Sequence, residues 1–392
     1  MKKVLTAALI ICAVFLAGSC SKEDAKKNDS GVIKIGNIQD LSGGASISGQ
    51  PNAWGAEYAV EVINANGGIN GKLIEIYTLD CKNSPEEGIN CYRKLVDEIG
   101  VVAIIGPPLS NPASAWVELS AEDKIPIVGH FMDEICTTNP DTGKPYPYMF
   151  LAEPSSAVQA QAIAKFGMEN LKLKTFATLF NTGNAFAVTQ ANPFMQYVRD
   201  HGGRVVAEEH FGWTDTDYSA QALKIAAAKP DAVFLSDYAV QAANAYDFLR
   251  NAGYTGVILG ANTLTNPLPT LVKNPIKDVY FLQNYDVNNK NEGNINELTR
   301  IHMERTKTEF PSLNVGFGWD AVQVLTAAMR KAKDPQNGEE VRDILENQTK
   351  NIPLSVKEIT IDPATHRPNN MGMYIADYDA NLQARVLTYI MP

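Results

Sequence analysis

The sequence predicts an α/β protein built as two doubly wound lobes with a ligand cleft between them. Length is the first reason: of 392 residues, roughly 360 to 370 remain once an N-terminal leader is set aside, more than one ordinary core holds. A rhythm of short apolar runs and helical patterns, occurring twice along the chain, is the second. Composition is the third, since 45% hydrophobic and 20% charged residues are globular values. The formal charge of −10, with no clustered Lys or Arg, sets nucleic acid aside as a partner.

The elements follow in order. MKKVLTAALIICAVFLAGSC places two lysines before an apolar run from Val4 to Leu16 and small residues before Cys20, the layout of an export signal spanning residues 1–19. SKEDAKKNDSG (21–31) is nearly free of apolar residues and reads as a solvated tether. VIKIGNI (32–38) reads as a strand, NAWGAEYAVEVINAN (52–66) as an amphipathic helix stopped by Gly67 and Gly68, and KLIEIYTLD (72–80) as the next strand. A helix over 85–99, the buried strand VVAIIG (101–106), a further helix and IPIVGH (125–130) complete the first series. The second runs from a helix near Ser156 through TFATLF (175–180), a helix to Gly202, RVVAEEHF, SAQALKIAAAKP, DAVFLSD (231–237), a helix to Gly253 and GVILGA (256–261). A polar stretch over 287–300 and helices near 319–333 and 338–350 close the chain. Regular alternation implies parallel sheets with right-handed crossovers, and two such units imply a cleft for a small ligand.

Ser110 and Asn111, after the strand-ending GPPL, precede a helical pattern at the carboxyl end of a strand, where open α/β sheets bind ligands. Ser110 therefore either caps its helix or contacts a ligand. Cysteines are five, two of them (Cys12 and Cys20) in the leader. Of Cys81, Cys91 and Cys136, any pairing leaves a free thiol, and Cys81 with Cys91 is the closer in sequence. The five histidines are scattered and no CxxC occurs, so neither a metal nor a cofactor is expected. GASISG lacks GxSxG spacing, GGINGK lacks the leading glycine of a P-loop, and HExxH is missing, so an enzyme is not expected.

IKIGNIQDLSG, INANGGINGKLIEIYTLD, the strand ending GPPLS, TDTDYSAQALKIAAAKPDAVFLSDY and GWDAVQVLTAAM, in this order, resemble the leucine/isoleucine/valine-binding family of type I periplasmic binding proteins. The leader likewise resembles a lipoprotein signal with Cys20 as the lipidated residue. The resemblance implies two Rossmann-like lobes joined by three crossings: 32–153 plus 287–372 in one, 154–286 plus 373–392 in the other. It implies a monomeric, membrane-anchored extracytoplasmic protein that closes on a solute and delivers it to an ABC permease. A ligand-sensing protein working through a partner is the alternative.

By the same resemblance the ligand carboxylate falls to Ser110, flanked by Leu109. The position of a second hydroxyl residue is taken by Asp133, in the loop that also holds Phe131. Asp133 either faces the ligand or caps its own loop. Tyr238 matches the tyrosine that closes over the ligand, and Phe186 matches an aromatic residue at the lip of the second lobe. Asn262 replaces the acidic partner of the α-amino group, and Ser48 stands where an aromatic ring is usual. Asp133 and Asn262 disfavour leucine itself, leaving a polar amino acid, an amide or an aromatic acid. His130 reads as a satisfied loop residue, and Phe317 and Trp319 as packing at a helix start.

Overall fold

The order of strands in two sheets sets the architecture of a computed structural model that describes residues 31–392 except 108, 266, 267, 287–292 and 310. The expected leader, the lipidation residue Cys20 and the tether before Gly31 lie outside the described residues, as does the start of the polar stretch over 287–300. The first sheet grows from β1 (Val32–Gln39), followed by α1 (Ser46–Ala65), β2 (Leu73–Asp80), α2 (Pro85–Arg93) and β3 (Ala103–Ile105). After α3 (Ser110–Ser114) and α4 (Val117–Asp123), β4 (Ile127–Gly129) and β5 (Met149–Leu151) complete it in the order β2-β1-β3-β4-β5. Every pairing in it is parallel.

The chain then enters α5 (Ser156–Glu169), β6 (Thr175–Asn181), α6 (Ala185–Asp200), β7 (Arg204–Phe211), α7 (Ser219–Ala228), β8 (Ala232–Leu235), α8 (Ala239–Asn251) and β9 (Val257–Gly260). The short α9 (Leu268–Leu271) leads to β10 (Val279–Gln283). These strands lie in the order β7-β6-β8-β9-β10, all parallel, so the second sheet repeats the winding of the first. Next come α10 (Ile295–Thr306), α11 (Asn314–Lys331) and α12 (Gly338–Gln348), and two small hairpins: β11 (Ile352–Pro353) with β12 (Glu358–Ile359), and β13 (Ile361–Asp362) with β14 (Arg367–Pro368). β15 (Met373–Tyr378) and β16 (Ala384–Ile390) finally join the second sheet as antiparallel strands beside β10.

Three local departures have physical reasons. α1 starts at Ser46 rather than 52, with Pro51 inside it; so near a helix N-terminus a proline forfeits a single backbone bond and is tolerated. α10 occupies part of the stretch that looks irregular in sequence. Its buried residues Ile295, Leu298, Thr299 and His302 fall at helical spacing, but the stripe is narrow and half polar. α11 begins at Asn314 rather than near 319, so GFGWDA lies in its first two turns, where Phe317 and Asp320 are buried.

α11 returns to pack on α1, and two glycines set their separation. A Cβ on Gly55 would lie 2.0 Å from the Val315 carbonyl oxygen, and one on Gly318 would lie 1.9 Å from that of Asn52. Backbone cannot yield as a side-chain tip does, so Gly318→Ala is expected to cost about 1–3 kcal/mol. A urea midpoint equal to that of the parent would show that the helices part without cost.

The cysteine expectation needs correcting. Cys81, Cys91 and Cys136 are all free thiols and all buried. The Cys91 thiol donates to the Asp80 carbonyl at 3.4 Å instead of meeting Cys81. Burial pushes the Cys81 thiol up to about 12 and the Cys91 thiol up to about 11.

Candidate functional site

In both sheets the first strand lies between the second and third, so the following helices leave on opposite faces and open a crevice at the strands' carboxyl ends. In the first sheet the bordering loops follow β1 and β3 and carry Ala45 and Leu109; in the second, Phe186 opens α6 just past the loop after β6, and Tyr238 lies in the loop after β8. With Met132 and Ala261 these residues form one buried apolar cluster that spans both sheets. The Phe186 and Tyr238 rings stack at 5.8 Å between centroids. Asn111, next to Ser110, accepts a hydrogen bond from the Ala185 backbone N–H at 3.2 Å, so the loops after β3 and β6 touch directly.

This cluster forms one part of the wall of a cavity of about 540 Å³. The wall continues along the first turns of α1 through Ser48, Asn52 and Trp54, and then through His302 and Thr306 of α10 and Leu313. His130, Phe317, Asn262 and Thr263 contribute further sides. Of the sequence-predicted residues, Ser48, Leu109, Phe186, Tyr238 and Asn262 line the cavity together.

Ser110, Phe131 and Asp133 do not, and the corrections are physical. Ser110 is buried, its hydroxyl oxygen accepts the Asp133 backbone N–H at 3.1 Å, and its carbonyl accepts the Cys136 thiol, so it ties two loops together. The Asp133 carboxylate caps the turn Glu134–Cys136 by accepting from the Ile135 N–H at 3.0 Å, which leaves it turned to its own loop. Burial raises that carboxyl to about 6. Phe131 belongs to the core under the first sheet, folded against Gly129, where a Cβ would strike its ring at 2.6 Å.

His130, which the sequence reads as a satisfied loop residue, and Phe317, which it reads as packing, are cavity residues. Their rings stack at 4.8 Å, and His130 Nε2 meets the Phe317 carbonyl oxygen at 2.5 Å. A carbonyl only accepts, so Nε2 carries a proton. On the other side His130 Nδ1 lies 3.2 Å from Glu153 Oε1. The second Glu153 oxygen accepts from Asn284 Nδ2 at 2.8 Å, and Asn284 Oδ1 accepts from Asn262 Nδ2 at 3.0 Å. Burial raises the Glu153 carboxyl above its ordinary range. The chain of bonds therefore runs from the cavity wall through Glu153 and Asn284, which follow β5 and β10 where the chain passes between the sheets, and back to the wall. Asn52, Trp54 and His302 were also missed; a tryptophan and an asparagine on an amphipathic helix carry no sequence signal that separates lining from packing.

Tyr238 is held from below. Asp237 accepts from the Tyr238 N–H at 2.7 Å, from Asn184 Nδ2 at 2.8 Å and from the Asn181 N–H at 3.1 Å, fixing the loops after β6 and β8 to each other. Burial nevertheless pushes the Asp237 carboxyl up to about 7.

The model of the family described as "Periplasmic binding protein" matches residues 32–383. The chain belongs to the periplasmic binding protein family. Among relatives of this periplasmic binding protein is the Leu/Ile/Val-binding protein homolog 3 of Brucella melitensis, 27% identical over 60% of this chain and 62% of that one. The Leu/Ile/Val-binding protein BraC3 of Rhizobium johnstonii is 25% identical over 84% of this chain and 87% of its own length. The leucine-binding protein LivK of Thermotoga maritima superposes with a TM-score of 0.82 at 22% identity, over 92% of this chain and 99% of that chain. LivJ of Streptococcus pneumoniae, a branched-chain amino acid transporter substrate-binding protein solved with isoleucine, gives a TM-score of 0.81 at 24% identity, over 92% and 100%. As a periplasmic binding protein the chain carries the type I fold of two lobes, and the cavity described above lies at the carboxyl edges of both sheets. Among the described residues no helix is long and apolar enough to cross a membrane.

Proposed function

We propose that this protein is the solute-binding component of an ABC-type uptake system of the branched-chain amino acid kind, anchored outside the cytoplasmic membrane through lipid on Cys20. Residues 32–153 with 287–372 act as one lobe and 154–286 with 373–392 as the other. They close on a small solute and present it to a membrane permease, the protein working as a monomer. The observation that carries this reading is the cavity wall shared by both sheets, in which Ala45, Leu109 and Met132 meet Phe186, Tyr238 and Ala261. Each lobe supplies half a wall, so a solute is buried only when the lobes meet, which is how hinge closure couples capture to a change of shape. The Leu/Ile/Val-binding names of the relatives support the transport assignment.

The test is a melt of the full-length protein, refolded to strip carried-over solute, against amino acids, amides, polyamines and aromatic acids. A ligand at a thousand times its dissociation constant adds about 4 kcal/mol to folded stability and raises the melting temperature by several degrees. Tyr238→Ala is expected to abolish that shift, because it removes the ring stacked on Phe186 and opens the wall. A well-folded protein that no member of the panel stabilises would sink the proposal.

A further inference from the structure

Glu153 and Asn284 stand behind the cavity rather than on its wall. Glu153 is 2% exposed, and both residues border a separate space of about 20 Å³, room for about one water molecule and closed to a solute. Their bonds nevertheless lead to the wall in two directions. Glu153 Oε1 lies 3.2 Å from the wall residue His130, and Asn284 bonds Asn262, which lines the cavity from the short turn Asn262–Leu264 after β9.

The carboxylate end dictates the order of donors along this chain. Glu153 Oε2 accepts, so Asn284 turns its Nδ2 toward it, at 2.8 Å. A carboxamide carries nitrogen and oxygen on opposite arms, so Asn284 Oδ1 then faces Asn262 and can only accept. Asn262 answers with its Nδ2, at 3.0 Å. What Asn262 has left for the cavity is its oxygen, and among the described residues no group donates to it. Burial raises the Glu153 carboxyl above its ordinary range, but a hydrogen on Oε1, facing His130 Nδ1, leaves Oε2 an acceptor. An asparagine free to turn would offer a solute either a donor or an acceptor; Asn262 is held as an acceptor.

Resting on the solute-binding reading, we infer that Glu153 is a positioning residue that acts through Asn284 to fix Asn262 as the acceptor for an amino group of the solute. The acid of the site thus sits two hydrogen bonds behind the wall instead of on it.

Calorimetry on the full-length protein in detergent, stripped of solute, tests this with amino acids and their deaminated counterparts. The pairs are L-leucine with 4-methylpentanoate, L-glutamine with 4-carbamoylbutanoate, and L-phenylalanine with 3-phenylpropanoate. At least one amino acid is expected to bind at least ~10-fold more tightly than its counterpart, as a hydrogen bond to a charged group allows. Glu153→Gln is expected to erase most of that preference while moving the deaminated acid less than ~3-fold, because a carboxamide at 153 presents either arm to Asn284 and no longer dictates its direction. Asn284→Leu cuts the chain at constant charge and similar volume; it is expected to do the same, and replaces Glu153→Gln if that variant does not fold.

A reversed chain separates positioning from mere structural support. In the double variant Glu153→Gln, Asn262→Asp, the new carboxamide donates to Asn284 Oδ1 and Asn284 Nδ2 donates to the new carboxylate, so the preference is expected to return. Asn262→Asp alone catches Asn284 between two acceptors and is expected to bind the amino acid at least ~10-fold less tightly than the double variant. Three results each overturn the inference and leave the solute-binding proposal standing: deaminated acids bound as tightly as their amino acids, a preference that survives both Glu153→Gln and Asn284→Leu, or a double variant no better than Asn262→Asp alone. Binding of none of these acids overturns it too, while the wider melting panel decides separately whether the protein binds a solute at all.

Discussion

Asp320→Ala is expected to lower the free energy of unfolding by several kcal/mol, since each buried donor left without an acceptor costs about 1–3 kcal/mol. Asp320 sits inside α11 and joins three parts of the chain that share no secondary structure. Its Oδ1 accepts the Ser355 backbone N–H at 2.6 Å, and its Oδ2 accepts the Ser355 hydroxyl at 2.8 Å and the Tyr285 hydroxyl at 3.2 Å. Alanine would leave these donors buried with no acceptor. Tyr285 also packs against Phe317 at 5.6 Å between centroids, so the loss should loosen the cavity wall as well. Urea unfolding provides the measurement, with the midpoint falling at unchanged slope. A loss below about 1 kcal/mol would mean that water or a neighbouring acceptor replaces the carboxylate.

The second large effect is a pH dependence with a defined sign. Burial pushes the carboxyls of Asp320 and Asp237 up to about 7. An acid whose folded value lies above its unfolded value of roughly 3.9 binds more protons when folded. Its contribution is fully present below about pH 4 and is lost as pH rises through about 7, on the order of 4 kcal/mol for a shift of about three units. His302 and His366, lowered by burial, act in the opposite direction as pH falls below their ordinary value. They are common to parent and variant, so the difference isolates the acid. Asp320→Asn keeps the side-chain volume, and the Ser355 and Tyr285 hydroxyls can turn to accept from the new amide. The variant is expected to gain on the parent by several kcal/mol between pH 4.5 and pH 8. A gap that does not change with pH would show that Asp320 does not titrate in this window.

Much of the frame was legible before the coordinates. The alternation from VIKIGNI to GVILGA is a local property, because strand and helix periodicities are written in neighbouring residues. Tyr238 was legible for a related reason, since it stands directly after an apolar strand and the carboxyl edge of a wound sheet is where ligands bind, whereas Phe186 came only from the family resemblance. The start of α1 and the existence of α10 were not, since Pro51 argues locally against a helix and the stripe on α10 is half polar.

By itself the sequence determined the class of the fold, the doubling of the wound unit and the loops from which a site would be drawn, since these follow from periodicity and chain order. Only the tertiary structure decided which side chains in those loops reach the cavity. Ser110 and Asp133 turned into a bond with each other's loop, Phe131 went to the core, and His130, Phe317, Trp54 and His302 came to the wall. The direction of one side chain depends on contacts with residues far away in the chain, as His130 shows by bonding Phe317 across 187 positions. No local pattern encodes that distance.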